Sequence, residues 1–92
     1  MKYVEDLEDI FDIKHLGLVV APGIPYSFSP PTQVGDDIEF RNPSGSIIKT
    51  KIKSFLMLNR GKKMEHLPFS VERNFEKTEV EAGAKYYMSG AG

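Results

Sequence analysis

The chain has 92 residues and a net charge of −1, enough for one modest hydrophobic core and too little for two. Hydrophobic residues make up 40% and charged residues 27%, which is typical of a folded globular domain and excludes a disordered or collagen-like chain. The sequence has no cysteine, no signal-peptide core after Met1 and no apolar run near the ~20 residues that span a bilayer. We therefore expect a cytoplasmic domain without disulfides, thiolate chemistry or a membrane segment.

The first third of the chain predicts two strands joined at a glycine. β-branched, leucine and aromatic residues crowd residues 10–20 without a helical period, and Gly17 within that run indicates a turn, a bulge or a close backbone approach. Pro22 and the residues that follow it predict the end of the second strand. A proline-rich loop is expected at 25–32, because proline cannot donate to a sheet ladder.

The middle of the chain predicts two paired strands. Turn chemistry at 35–37 leads into a short strand at 38–41, and residues 42–46 form a typical hairpin turn. Residues 47–58 then alternate between two faces. The face predicted to be buried carries Ile48, Thr50, Ile52, Ser54, Leu56 and Leu58. The face that carries three lysines, among them Lys51, is predicted to point to solvent.

The C-terminal third predicts two further strands at 67–73 and 84–88, with a turn at 79–83 and a flexible tail at 89–92. Turn signals at this spacing, without a helical pattern, predict an all-β fold. We expect residues 1–88 to form a single small antiparallel, Greek-key-like β-barrel of about six strands. The predicted core comprises Ile10, Ile13, Val19, Ile38, Ile52, Leu56 and Val71.

Several segments, taken in chain order, carry a family resemblance. Residues 7–13, Leu-Glu-Asp-Ile-Phe-Asp-Ile, are similar to Ile-Glu-Asp-Val-Phe-Ser-Ile, and residues 17–20 to a Gly-Thr-Val-Val hairpin. Residues 34–40 are similar to Val-Gly-Asp-Glu-Val-Glu-Ile, and 73–75 and 80–83 to Arg-Gly-Ile and Ile-Glu-Arg-Gly. The family is that of elongation factor Tu-like translational GTPases, in their second domain. The resemblance covers nearly the whole chain and implies a translation-protein barrel.

The resemblance also implies a candidate site, with two departures. The sequence has no Gly-x-x-x-x-Gly-Lys-Ser/Thr loop, so we expect a stand-alone barrel that binds no nucleotide. In the family this domain helps to hold the aminoacyl end of tRNA, and the matching pocket residues here are Glu8, Asp9 and Phe11. A family acid is replaced by Lys53 and a family arginine by Leu16. These replacements argue against simple transfer of tRNA binding.

Charge is divided unequally along the chain. Residues 1–12 carry five acids against one lysine, whereas residues 41–63 carry seven bases and no acid. The candidate anion- or RNA-binding residues are Lys49, Lys51, Lys53, Arg60, Lys62 and Lys63. Ammonium groups at strand spacing, ~6.6 Å apart, could follow a row of phosphates. A solvated strand face is the other interpretation, which we favour.

The remaining candidates leave no catalytic or metal-binding set. His15 and His66 lack a metal-ligand companion at nearby helical or strand spacing, and the acidic N-terminal cluster lacks the spacing of a calcium loop. A small hydrolase would have to build its nucleophile–base pair on one of these two histidines. Tyr26 and Phe28 lie in the proline-rich loop, where two roles stay open: a protein-docking loop, or a cap over one end of the barrel.

Together these patterns predict a non-enzymatic binding module without cofactor or metal. A protein partner is the first hypothesis, because no catalytic constellation accompanies the fold. The alternative is an accessory RNA-binding protein that uses the basic surface at 49–63.

Overall fold

The structure, a computed structural model, describes residues 1–28, 31–56 and 66–89. Its strands are β1 (Lys2–Asp6), β2 (Asp9–Ile13), β3 (Gly17–Pro25), β4 (Asp37–Arg41), β5 (Ile47–Phe55), β6 (His66–Val71) and β7 (Lys85–Met88), with a short 3₁₀ helix at Lys77–Glu79. The all-β prediction is confirmed. The sequence predicts about six strands, and the structure has seven in its described residues. The additional strand is β1, for which the sequence gives no prediction.

One antiparallel sheet contains all seven strands, in the order β1-β7-β4-β5-β6-β3-β2. Its two end strands, β1 and β2, follow each other in the chain and are joined by Leu7 and Glu8. The Leu7 N–H donates to the Ala84 carbonyl and the Glu8 N–H to the Ala21 carbonyl, each at 2.9 Å. This short segment is thus bonded to both ends of the sheet, while complete closure into a barrel stays a prediction.

The prediction that β3 ends near Pro22 is wrong. The strand runs through Pro22 and Gly23 to Pro25. It can do so because its register with β6 shifts between Val20 and Ile24, and a bulge of this kind accommodates a residue without an N–H. Gly23 adopts a φ of +116° at this bulge, which a residue with a Cβ rarely adopts.

The core lies inside the curled sheet. Of the predicted core, five residues are buried: Ile10, Val19, Ile38, Ile52 and Val71. Leu56 is half-buried. The prediction for Ile13 is wrong, because this side chain is 42% exposed. Successive strand residues point to opposite faces, so residues 10 and 13 of β2 cannot both face the core.

The alternation predicted for residues 47–58 is confirmed along β5 as far as Lys53 and is wrong for Phe55. The register with β6 shifts between Ile52 and Ser54, and Phe55, predicted on the lysine face, packs against the core. Thr50 and Ile52 are buried, whereas Lys49, Lys51 and Lys53 are exposed. Met57 and Leu58 lie outside the described residues. β5 therefore presents its three lysines to solvent on one face, as the sequence predicts.

The predicted hairpin turn at 42–46 is also present and is fastened to the segment before β7. The Asn42 amide nitrogen donates to the Ser46 hydroxyl and to the Glu79 carbonyl, each at 2.9 Å. The Glu81 N–H donates to the Asn42 side-chain oxygen at 2.9 Å. These bonds satisfy a buried amide and hold the β4–β5 hairpin against the 3₁₀ helix.

Candidate interaction surfaces

Three large apolar side chains lie exposed together on the β2–β3 hairpin. Phe11 is 46% exposed, Ile13 42% and Leu16 38%. Phe11 and Ile13 share the outer face of β2, where they lie opposite Val19 and Gly17 of β3. The Leu16 N–H donates to the Ile13 carbonyl at 3.0 Å, which holds the turn residue next to the strand end. We call Phe11, Ile13 and Leu16 the hairpin patch.

The hairpin patch does not contribute to the core of the fold. The buried cluster takes Ile10 from β2, and the partly buried side chains that pack against it come from elsewhere: Leu7, Phe28, Ile48, Phe55, Phe75 and Val80. Single exposed apolar residues are common on protein surfaces, but a contiguous group marks a contact surface more often. The hairpin patch is therefore the first candidate for a docking surface.

Basic side chains border the hairpin patch. A Cβ built on Gly17 would lie 3.6 Å from Lys53 Cδ and 3.7 Å from its Nζ, so the Lys53 side chain crosses the outer face of β3 beside Ile13. Lys14 lies in the exposed turn between Ile13 and Leu16. Arg73 Nη2 donates to the Ile13 carbonyl at 3.0 Å.

These three bases differ in their partners. Arg73 Nη1 lies 2.5 Å from the Asp12 carboxylate. No acid among the described residues lies within ion-pair distance of Lys14 or Lys53. The border of the hairpin patch is thus positively charged on balance.

The residues predicted from the family resemblance lie at the same hairpin. Asp9 and Phe11 share the outer face of β2, and Glu8 precedes this strand. The Ile10 N–H donates to the Asp9 carboxylate at 2.7 Å. Since β2 is an end strand of the sheet, Asp9 places a charge at an edge, and such charges oppose pairing with another strand.

The lysine face of β5 is partly neutralised by β4. Lys51 lies opposite Asp37, and Lys49 opposite Glu39. Lys51 Nζ lies 2.6 Å from the Asp37 carboxylate, and this hydrogen bond raises the pKa of Lys51 above its ordinary value. The predicted basic residues Arg60, Lys62 and Lys63 lie outside the described residues.

The N-terminal acids have other partners. Asp6 pairs with Lys85 at 2.7 Å, Asp12 with Arg73 at 2.5 Å and Glu5 with His66 at 3.1 Å. Among the described residues, none of these acids pairs with a lysine of β5. In the described part of the chain, the acids at 1–12 therefore form no ion pair with the bases at 41–56.

A row of aromatic and charged residues crosses the outer face of four strands, and the sequence does not reveal it. Tyr3, Tyr87, Glu39 and Lys49 lie opposite one another across β1, β7, β4 and β5. The Tyr3 and Tyr87 rings meet edge-on at 5.6 Å, and the Arg41 guanidinium lies 3.9 Å from the Tyr87 ring centre. Tyr3 and Tyr87 come from opposite ends of the chain and Glu39 and Lys49 from its middle, so no local pattern in the sequence marks the row.

The two aromatic residues of the proline-rich loop take different roles. Tyr26 is 63% exposed, whereas Phe28 is half-buried and packs against the core. Lys2 Nζ lies 5.1 Å from the centre of the Phe28 ring. Phe28 therefore fits the interpretation as a cap, and Tyr26 alone is presented to solvent.

A shallow pocket of about 200 Å³ is lined by Met1, Ile38, Lys49 and their neighbours, below the ~300 Å³ at which small-molecule sites usually begin. Within residues 1–28, 31–56 and 66–89, no three His, Asp or Glu side chains are grouped to hold a metal ion. In the same described parts of the chain, no helix has the length and apolar character to cross a membrane.

No family model, curated protein or solved structure matches the chain.

Proposed function

We propose that the chain is a non-enzymatic protein-binding module of the cytoplasm, and that the hairpin patch is its docking surface. One observation carries the proposal: Phe11 and Ile13 are exposed on one face of β2, Leu16 is exposed in the turn bonded to Ile13, and none of the three belongs to the core. Moving apolar surface out of water is favourable by about 25 cal/mol per Å². The hairpin patch therefore has stabilisation to gain from a partner.

The family resemblance supports a barrel of the translation-factor domain 2 type. Residues 7–13 and 17–20, which carry the resemblance, lie mainly in the paired strands β2 and β3. The two departures from the family pattern fall together at the hairpin patch, since Leu16 belongs to it and Lys53 borders it. An apolar side chain has taken the place of a phosphate-binding arginine, which favours a protein over tRNA at this surface.

An affinity pull-down from a lysate of the source cells tests the proposal. The parent protein should retain a protein after ribonuclease treatment, and Phe11→Ser should lose it. Ile47→Ser is the matched control, because Ile47 is also an exposed apolar strand residue, at 51%, on the outer face of β5. Identical retention by the parent and Phe11→Ser, or retention that ribonuclease abolishes, contradicts the proposal.

RNA binding is the second candidate, favoured by the exposure of Lys49, Lys51 and Lys53 on one face of β5. The acids opposite Lys49 and Lys51 reduce the positive potential, so we expect weak binding that falls steeply with salt. Replacing the three lysines together by Gln should reduce it further, with Lys77→Gln as the control at an exposed base elsewhere. Unchanged RNA affinity in the triple variant excludes this face.

A further inference from the structure

We infer that the segment accepted by the hairpin patch is an acidic peptide of another protein, in which carboxylates flank apolar side chains. The inference rests on the proposed function, because it specifies the occupant of the same surface. It follows from the charges that border the patch and from the edge beside it.

The first argument is that two of the bases at the hairpin patch have no partner acid among the described residues, in contrast to several bases elsewhere on the sheet. Lys51, Lys85 and Arg41 each pair with an acid, at 2.6, 2.7 and 3.1 Å. For Lys14 and Lys53 the described residues offer no such acid. A carboxylate brought by a partner would supply the missing counter-charge at the rim of an apolar contact, where water is partly excluded and the attraction is stronger than in bulk solvent.

The second argument is the position of the Lys53 side chain. Its Cδ and Nζ both lie within 3.7 Å of the place where a Cβ on Gly17 would be, so its methylene groups cover the backbone of β3 beside Ile13. A lysine stem of this kind extends an apolar surface while its ammonium group stays in water. The same side chain can therefore contact an apolar residue and pair with a neighbouring carboxylate of the peptide.

The third argument concerns the type of partner. Asp9 and Asp12 lie on the same hairpin as the patch, and Asp9 places its charge at the edge of the sheet. A broad anionic surface, such as a lipid headgroup plane, would meet these acids as well as the bases, whereas a narrow peptide can approach between them. The charged edge opposes backbone pairing, so we expect contact through side chains rather than by strand addition.

A displayed random-peptide library, selected on the folded parent protein, tests the inference. Enriched peptides should carry a net negative charge and spaced apolar residues. As synthetic peptides they should bind Phe11→Ser at least about tenfold more weakly, since anchors in a contact centre carry most of its energy. They should also bind the double variant Lys14→Glu, Lys53→Glu at least about tenfold more weakly. Their affinity for the parent should fall as salt rises, because salt screens the attraction between the lysines and the peptide carboxylates.

Matched controls are Ile47→Ser and Lys77→Glu, which change an exposed apolar residue and an exposed base away from the patch and should keep the parent affinity. Thermal unfolding of each variant establishes that it is folded. The double variant Lys14→Gln, Lys53→Gln removes charge without reversing it and should give an intermediate affinity, which keeps the test valid if the Glu variant does not fold.

The outcomes separate the inference from the proposed function. If the enriched peptides are neutral or basic, the inference of an acidic partner is overturned and the docking surface stands. The same holds if Phe11→Ser weakens their binding and the lysine variants do not. Peptide binding that Phe11→Ser does not weaken overturns the docking surface as well. Binding of phosphatidylglycerol vesicles by the parent, lost in Phe11→Ser and without any enriched peptide, replaces the peptide by a membrane and also overturns the inference.

Discussion

The hydroxyl of Tyr86 in β7 donates to the carbonyl of Gly23 in β3 and accepts the N–H of the same residue at 3.2 Å. Tyr86 and Gly23 are both buried, and their strands are not neighbours in the sheet. One side chain thus satisfies both backbone groups at the bulge of β3. Burial raises the pKa of Tyr86 above its ordinary value, so the hydroxyl keeps the proton that it donates.

Removing this hydroxyl should destabilise the fold. Tyr86→Phe leaves the ring in place but deprives the N–H and the carbonyl of Gly23 of their partner, and each unsatisfied buried group costs about 1–3 kcal/mol. Urea unfolding should show the loss. Tyr26→Phe, at an exposed tyrosine, should change the free energy of unfolding by less than ~0.5 kcal/mol. Equal stability of the two variants would contradict the role of the Tyr86 hydroxyl.

Alanine substitutions at Gly23 and Gly45 separate the cost of a strained backbone from the cost of a steric clash with the new Cβ. Both glycines have positive φ, at +116° and +98°. A Cβ on Gly23 would lie 2.6 Å from the Leu67 carbonyl carbon and 2.8 Å from Pro68 N, whereas one on Gly45 meets nothing within 4 Å. We expect Gly45→Ala to cost about 1–2 kcal/mol, the conformational penalty alone. Gly23→Ala should cost clearly more by thermal unfolding, and a similar loss in both would contradict the close packing of β3 on β6.

The two faces of β5 should respond differently to truncation. Ile52 is 1% exposed, so Ile52→Ala should lower the free energy of unfolding by about 2–5 kcal/mol, through lost burial and the cavity that remains. Ile47→Ala, on the exposed face, should change it by less than ~0.5 kcal/mol. Denaturant unfolding of both variants checks the assignment, and a reversed order would contradict it.

Tyr3 should ionise late in the folded protein. Its hydroxyl donates to the Asp6 carboxylate at 2.6 Å, and this hydrogen bond, followed by burial and by the charge of Asp6, raises the pKa of Tyr3 to about 12. A raised pKa favours the protonated fold, so this contribution is complete below the unfolded pKa of 10.0 and is lost as the pH rises through about 12.

Ultraviolet titration of tyrosine ionisation checks this prediction. Tyr3→Phe should remove a transition near pH 12, and Asp6→Asn should move that transition downward, because the neutral amide no longer opposes a negative phenolate. An unchanged titration curve in Asp6→Asn would show that the hydrogen bond does not set the pKa of Tyr3.

Local patterns were sufficient where pairing is local. The hairpin at 42–46 and the alternation along β5 follow from turn residues and strand period. The structure confirms the hairpin, and it confirms the alternation as far as the register shift between Ile52 and Ser54. β1 could not be predicted in this way, because it pairs with β7 from the opposite end of the chain. The hydrogen bonds between Tyr86 and Gly23 could not be predicted either, because the two residues are far apart in the sequence.

The exposure of Phe11 and Ile13 could be predicted from the sequence, although the core predicted from it includes Ile13. Ile10, Phe11 and Ile13 make β2 apolar on both faces, which a strand at the end of a sheet cannot bury unaided. Applying the strand period strictly places Phe11 and Ile13 on one outer face. The basic border could not be predicted, because Lys53 reaches Gly17 from another part of the sheet.

The most direct test of the docking surface is site-specific photocrosslinking in the source cells. A photoreactive phenylalanine analogue at position 11 should capture a partner protein at the hairpin patch. The same analogue at position 47, an exposed apolar position on another strand, is the control. We predict a ribonuclease-resistant crosslinked polypeptide at position 11 and none at position 47. Crosslinks that are absent at position 11, equal at both positions or removed by ribonuclease would contradict a protein-binding role for this surface.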